Sequence, residues 1–481
     1  MTSLNPPADT GYRISAFLHR LGYVVIFAPA LLAACTTLHG PPPDATPTPA
    51  AANSVTFENA HGPVSAQKSA GILKSLESAS GDDAILKRHL AVEESLNQDS
   101  PLVLGNRVRL LQDGPNTYAA MFAAIRGARH SINLETYIFD SGKIGTEFAD
   151  LLLAKQAAGV RVNLIYDSVG CLDTPVEFFD RLRDGGIHVL EFNPINPANV
   201  RKREWLLNNR DHRKLLVVDG RIAFLGGINI SESYSSGSFS RSSKRKHGKS
   251  EAGWRDTQVQ IEGPVVAELQ KDFLATWARQ NGPPLADKNY FPKLVTEGDA
   301  IVRAIASEPS DKTGSPIYLT LLSAIDHAER FVHLTNAYFV PDPKLVRALT
   351  GAARRGVDVK LILPGKSDSW LVFHAGRSHY AELLDAGVHI YERRDTVLHA
   401  KTASIDGVWA TVGSTNLDWR SYLLNDELNA VVLGTDFSRQ MEAMFDTDRA
   451  ASVQIDPTRW RHRSPLQHME EWIARRFERW L

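Results

Sequence analysis

The sequence predicts an α/β protein built as two duplicated α/β/α sandwich halves with mixed β-sheets, sharing one site at the pseudo-two-fold interface between them. Three observations predict it. Segment 117–139 (TYAAMFAAIRGARHSINLETYIF) is echoed by 317–339 (IYLTLLSAIDHAERFVHLTNAYF), an internal repeat with an offset of about 200 residues. Each copy runs from apolar residues at helical spacing (Met121, Ile125, Ala128; Leu321, Ile325, Ala328) into a strand-like run holding Leu134 or Leu334. Further along, Gly159-Val160-Arg161-Val162 matches Gly356-Val357-Asp358-Val359, and Gly186-Ile187-His188-Val189 matches Gly387-Val388-His389-Ile390. In these pairs a glycine ends a helix and a β-branched strand starts soon after. Helices alternating with strands make an α/β sandwich of each half.

The composition allows such a fold and excludes others. The chain has 481 residues, 43% hydrophobic and 23% charged, which supports a packed core and rules out a disordered chain, a collagen-like fibre or a coiled-coil rod. Lys plus Arg is 54 against 55 for Asp plus Glu, a net charge of −1, so nucleic acid is not an expected partner. Cys35 and Cys171 are too few for a disulfide framework or a cysteine-rich zinc site.

In chain order, residues 1–35 read as a targeting anchor. Arg13 and Arg20 precede the apolar run Leu21–Ala34, 14 residues, short for a bilayer span and suited to a secretory signal. Its end, Leu32-Ala33-Ala34-Cys35, resembles the bacterial lipoprotein box, in which the cysteine takes lipid and becomes the mature N-terminus. An uncleaved membrane anchor is the competing reading, favoured by Pro29 and the long polar lead-in. Both hold the protein at a membrane, and lipidation at Cys35 places the folded body outside the cytoplasm. Residues 36–104 read as a flexible Pro/Ala-rich linker and spacer with a weak helix near Asp83–Leu96. The two halves follow at 105–295 and 296–455, and 456–481 as an amphipathic C-terminal helix.

Late in each half the same spacing recurs. His212-Arg213-Lys214 is followed by Asp219 and then Gly226-Gly227-Ile228-Asn229. His399-Ala400-Lys401 is followed by Asp406 and then Gly413-Ser414-Thr415-Asn416. Residues 214–219 read as a buried strand, and alternation puts His212 and Lys214 on one face. A phosphodiester needs cationic donors for its non-bridging oxygens and a group to attack phosphorus or protonate the leaving oxygen. Two histidines and two lysines at one interface supply both. Neutral imidazole is a nucleophile, protonated imidazole an acid, and the two titrate as a coupled pair. Asn229 and Asn416 add neutral donors.

This duplicated H-x-K-x4-D pattern resembles the phospholipase D superfamily over about residues 105–450, and within it bacterial cardiolipin synthases. Val108–Gly114, Asn133–Phe139, Asn336–Phe339 and Trp409–Leu417 support the resemblance. The resemblance implies a phosphatidyltransferase working through a phosphohistidine, with no metal or other cofactor. It makes His212 the nucleophile and His399 the general acid and base. Such a histidine needs its second ring nitrogen held by a carboxylate. Asp219 and Asp406 lie at the far strand ends and read as structural. Glu427, in the N-x-E-like Asn425-Asp426-Glu427, and Asp256, in Trp254-Arg255-Asp256, are the expected orienting carboxylates.

Four further segments stay outside this scheme. The insertion Ser235–Ser250, rich in Ser, Lys and Arg, reads as a solvated loop or as a flap against anionic lipid. The stretch after Pro465 sets Met469, Trp472, Ile473, Phe477 and Trp480 against Arg475, Arg476 and Arg479. It packs on the body or lies in a membrane interface. Pro364-Gly365-Lys366-Ser367 lacks the first glycine of a phosphate-binding loop. Cys171 reads as a buried or loop thiol.

The expected activity is cardiolipin formation from phosphatidylglycerol and a second phospholipid. A phospholipase D hydrolase is the first alternative, a nuclease the second and a non-enzymatic lipoprotein the third. Phospholipids and the membrane surface are the expected partners.

Overall fold

The structure is a computed structural model describing residues 55–80, 90, 93, 94, 96, 97, 99–200, 206–238, 253–285, 290–311 and 314–481. Cys35, the signal-like run, the Pro/Ala tether and residues 239–250 of the basic insertion lie outside those residues. No helix among the described residues is long and apolar enough to cross a membrane.

The repeat appears as two sets of seven strands. In the first half they are β1 (Leu102–Gln112), β2 (Ser131–Thr136), β3 (Arg161–Asp167), β4 (His188–Phe192), β5 (Lys214–Val218), β6 (Ile222–Gly226) and β7 (Thr257–Glu262). In the second they are β8 (Ala300–Ser307), β9 (Phe331–Asn336), β10 (Asp358–Pro364), β11 (His389–Arg393), β12 (Lys401–Ile405), β13 (Trp409–Gly413) and β14 (Asn425–Leu433). The first half orders its strands β4-β3-β2-β5-β6-β7-β1, with β4, β3 and β2 parallel and the rest antiparallel. The second repeats that order as β11-β10-β9-β12-β13-β14-β8. Antiparallel pairing of β1 with β8 joins them into one mixed sheet system.

Alternation along β5 shows how the layers form. Leu216 and Val218 face a core under the outer helices Asp113–Gly127, Lys143–Ala157 and Val176–Asp184. Leu215 and Val217 face the opposite core, which both halves share. Into that shared core β13 sends Ala410 and Val412, and β14 sends Leu428, Ala430 and Val432. The helices Val266–Arg279 and Thr435–Ala450 insert Phe273, Trp277, Met441 and Met444. The halves are thus two sandwiches with one inner layer in common, and its burial fixes their mutual position.

The described residues between 55 and 104 differ from the flexible spacer expected of them. Phe57–Asn59 pairs in parallel with the start of β1, and Ala66–Ser80 is helical. Val55, Phe57, Leu73 and Leu90 enter the second half's core. Buried Arg303 donates to the main-chain oxygen of Glu93 at 3.0 Å and also pairs with Glu94. Prolines dominate only the stretch before residue 50; beyond it, scattered apolar residues without clear periodicity pack well once a neighbouring core exists.

The motif aspartates close the β5–β6 and β12–β13 hairpins. Asp219 and Gly220 have φ of 53° and 61°, Asp406 and Gly407 have 54° and 74°. Each Asp-Gly pair holds the two central positions, both at positive φ, of a β-turn within a three-residue loop, closed by Arg221 N–H to the carbonyl of Val218 at 2.9 Å and by Val408 N–H to that of Ile405 at 3.3 Å. The carboxylate of Asp219 accepts from the main-chain N–H groups of Arg129, His130 and Ser131 at 2.7–2.9 Å. That of Asp406 accepts from Glu329, Arg330 and Phe331 at 2.8–3.0 Å. These acids therefore satisfy the donors entering β2 and β9 and take no part in the cavity.

Candidate active site

His212 and His399 each lie just ahead of a strand, and each is tied to the opposite half. The N–H of His212 donates to the carbonyl of Asp426 at 2.9 Å, and that of His399 to the carbonyl of Arg255 at 2.7 Å. Short parallel pairings accompany the bonds, Arg210–Asp211 with Asn425–Asp426 and Leu398 with Arg255. The residue after each carbonyl is a buried acid. Nδ1 of His212 lies 3.0 Å from Oε1 of Glu427, and Nδ1 of His399 lies 2.7 Å from Oδ2 of Asp256. A carboxylate only accepts, so Nδ1 carries the proton and Nε2 is left with its lone pair. Each half thus supplies the acid for the other half's histidine.

The residue behind the first motif glycine explains how these acids are held. A Cβ on Gly227 would stand 2.1 Å from Oδ1 of Asp256, so glycine is what lets the carboxylate sit there. Its counterpart Ser414 donates Oγ–H to Glu427 at 2.5 Å, joined by Ser421 at 2.8 Å. Oδ1 of Asp256 accepts instead from the N–H of Thr257 at 2.7 Å.

Both histidines line one open cavity of about 400 Å³, with Asn229 and Asn416 also on its wall. The asparagines differ. Asn229 donates to the hydroxyl of Tyr234 at 3.2 Å and accepts from the N–H of Ile138 at 3.2 Å. Asn416 has a buried Oδ1 with no hydrogen-bond partner among the described residues. Lys214 and Lys401 are buried, and each ammonium donates to the carbonyl of its own motif histidine. Neither lysine is among the residues lining that cavity, and Lys214 lies 5.2 Å from the centre of the Tyr137 ring.

Electrostatics favour neutral imidazoles in the unliganded site. Burial, then Lys214, Lys401 and His399, push His212 well below its ordinary value. Burial and Lys401 also lower His399, but Asp256 opposes them. Burial brings Lys214 down to about 7 against the pull of Glu427. It brings Lys401 down to about 8 against Asp256 and Glu427. Glu427 is pushed up to about 7 by burial, opposed by Lys214 and its hydroxyl donors. An arriving phosphate anion reverses much of this, because negative charge stabilises the protonated lysines and histidine.

Sequence reasoning missed several residues at the site. The hydroxyl of Tyr234 lies 3.1 Å from Nδ1 of His399, beside Asp256. The Trp254 ring lies 5.4 Å from that of His399, and Tyr137 lies 5.2 Å from His212. Arg210 and Arg420 add cations, while Tyr338 donates to Asp368 at 2.7 Å on the second half's wall. Trp254 adjoins the acid already singled out in sequence. Tyr137 and Tyr338 stand one position out of register between the repeats, so comparing the copies does not pair them. Cys171 is a buried thiol that accepts from the N–H of Phe139 at 3.2 Å.

Comparison with known proteins agrees with this architecture. The family model described as cardiolipin synthase, PLD-like domain, matches residues 121–243 and 321–449, one match in each half. The chain is 34% identical over 377 residues to the cardiolipin synthase of Geobacillus kaustophilus (strain HTA426), covering 78% of this chain and 72% of that protein. It is 36% identical over 364 residues to cardiolipin synthase A of Pseudomonas syringae pv. syringae (strain B728a), covering 74% and 71%. Among solved structures, phosphatidylserine synthase of Haemophilus influenzae Rd KW20 shares the fold. Its TM-score is 0.58 at 13% identity, over 80% of this chain and 97% of that one. With one model match per repeat and relatives aligned through both halves, the chain belongs to the cardiolipin synthase family of phospholipase D-like enzymes.

Proposed function

We propose that this chain is a phosphatidyltransferase that makes cardiolipin from phosphatidylglycerol and a second phospholipid through a phosphohistidine. The observation that carries it is the pair of histidines on one cavity, each with a carboxylate on Nδ1 and Nε2 left for chemistry. In the first step Nε2 of His212 attacks phosphorus, the bond to the glycerol oxygen breaks, and protonated His399 gives its proton to that oxygen. In the second, His399 takes a proton from an acceptor hydroxyl, which attacks phosphorus and releases His212. Charge supports this allocation of roles. Lys214, Lys401, His399 and Arg420 all disfavour protonation of His212. Asp256 supports protonation of His399.

Supporting the lipid reading are the names of the relatives and the duplicated motif they share with this chain. Lys214 and Lys401, protonated once the anion is bound, supply positive charge for the phosphodiester, and Asn416 an amide oxygen or, rotated, a donor. The reading places the protein at a bacterial membrane, with the anchor ahead of residue 55 and lipidation at Cys35 as its attachment.

The test is incubation of the purified protein with phosphatidylglycerol labelled in its phosphatidyl part. Cardiolipin with equimolar glycerol is the expected result. Phosphatidic acid as sole product at every acceptor concentration would replace the transferase with a hydrolase.

A further inference from the structure

We propose that the C-terminal helix Pro465–Arg475, with its continuation to Leu481, is a docking surface for a phospholipid bilayer beside the mouth of the cavity. Its amphipathicity is turned inside out. The face against the body carries Ala474 and Glu471, the latter ion-paired with Arg463. The large apolar residues point away: Leu466 is 58% exposed, Met469 52%, Trp472 60% and Phe477 45%. The helix packs on Trp370–Arg377, whose Trp370 is itself 48% exposed. A helix that merely completed the fold would bury this stripe.

The chemistry of the rim selects a bilayer as the occupant. Arg475, Arg476 and Arg479 are exposed along the same segment, and the guanidinium of Arg476 lies 4.9 Å from the centre of the Trp472 ring. Tryptophan and phenylalanine beside arginine suit the boundary where acyl chains meet phosphate groups. Position supplies the second argument. Trp480 and Leu481 line the cavity that holds His212 and His399. Arg420, on the same wall, donates its N–H to the carbonyl of Leu481 at 3.2 Å and its guanidinium to Asn208 at 3.1 Å. Asn208 follows the exposed Leu206 and Leu207, so apolar side chains of the first half are also exposed next to the residue that Arg420 ties to the end of this segment. A lipid drawn from a bilayer resting on this surface has a short path to the histidines.

The inference rests on a lipid substrate only in its activity arm. In the full chain, Trp fluorescence is measured with phosphatidylglycerol-containing vesicles whose acyl chains carry bromine. Wild type should lose an emission component that Trp472→Phe lacks. Met469→Asp with Phe477→Asp, both at exposed sites, should weaken vesicle partitioning roughly tenfold or more. The same double variant should keep wild-type turnover of short-chain, monomerically dispersed phosphatidylglycerol. Equal quenching in wild type and Trp472→Phe overturns the proposal, as does self-association of the protein that the double variant abolishes, which would make the stripe a chain–chain interface. Absence of turnover on either form of lipid would count against the proposed activity while the quenching still decides the docking.

Discussion

Glu427 holds His212 from the opposite half, its Oε1 3.0 Å from the imidazole Nδ1. Asp256 holds His399 in the reverse sense. The active arrangement is therefore an exchange of carboxylates across the pseudo-two-fold axis. Coupling energies should follow the crossing. His212→Ala should abolish turnover, and Glu427→Gln should lower kcat by roughly 10²- to 10⁴-fold. Adding Glu427→Gln to His212→Ala should cost nothing more, because the acid acts through that imidazole. Imidazole NMR signals of His212 and His399, compared between Glu427→Gln and Asp256→Asn, measure the pairing directly: each variant should perturb the histidine its acid holds. Strong coupling of Asp256 to His212, and none to His399, would contradict the crossed pairing.

The crossing also marks what sequence could and could not reveal. The repeat and the paired motifs were readable because duplication writes the same spacing twice; the two acids sit at unequal distances from their motifs and were read from their local segments, Trp254-Arg255-Asp256 and Asn425-Asp426-Glu427. Which acid serves which histidine was not readable, since it depends on short parallel pairings between residues more than 140 positions apart, such as Arg255 with Leu398. The hairpin role of Asp219 rests on its positive φ, visible locally only as an Asp-Gly pair. The fold of residues 55–80 was hidden because its few apolar side chains complete another segment's core rather than forming their own.

The pH profile should be limited on the alkaline side by the lysines. In the free enzyme Lys214 titrates near 7 and Lys401 near 8, both lowered by burial. Their ammonium groups are present below those values and lost above them, so kcat/KM should fall as pH rises through about 7–8. Bound phosphodiester raises both, so the corresponding limb of kcat should lie at higher pH. Lys214→Arg keeps its charge at all these values and should move the kcat/KM limb upward. An unmoved limb in both Lys214→Arg and Lys401→Arg would assign the titration to other groups.

Asp219 and Asp406 should matter to folding rather than chemistry. Asp219→Ala removes the acceptor of three main-chain N–H groups and places alanine at positive φ. A loss of about 1–3 kcal/mol is expected, read from chemical denaturation. Asp219→Asn keeps a residue that tolerates this backbone and one acceptor oxygen, so its loss should be smaller. Per folded molecule, kcat should stay within about twofold of wild type in both.

Gly227 gives the sharpest separation between holding the fold and holding the acid. A Cβ there would meet Oδ1 of Asp256 at 2.1 Å and Oδ2 at 2.7 Å, while main-chain neighbours are not among its nearest contacts. The side chain that must yield is therefore the one bonded to His399. Gly227→Ala should displace the carboxylate, free the imidazole to rotate and reproduce most of the kcat loss of Asp256→Asn. The fold should survive, because φ at this position is not in the left-handed region. Gly227→Ser adds an Oγ–H like that of Ser414, but Asp256 is one methylene shorter than Glu427 and has no slack to retreat. The serine variant should accordingly fare no better than alanine, and pairing it with Asp256→Glu should restore part of the rate. Wild-type kcat in Gly227→Ala would show that the carboxylate can shift without loosening His399.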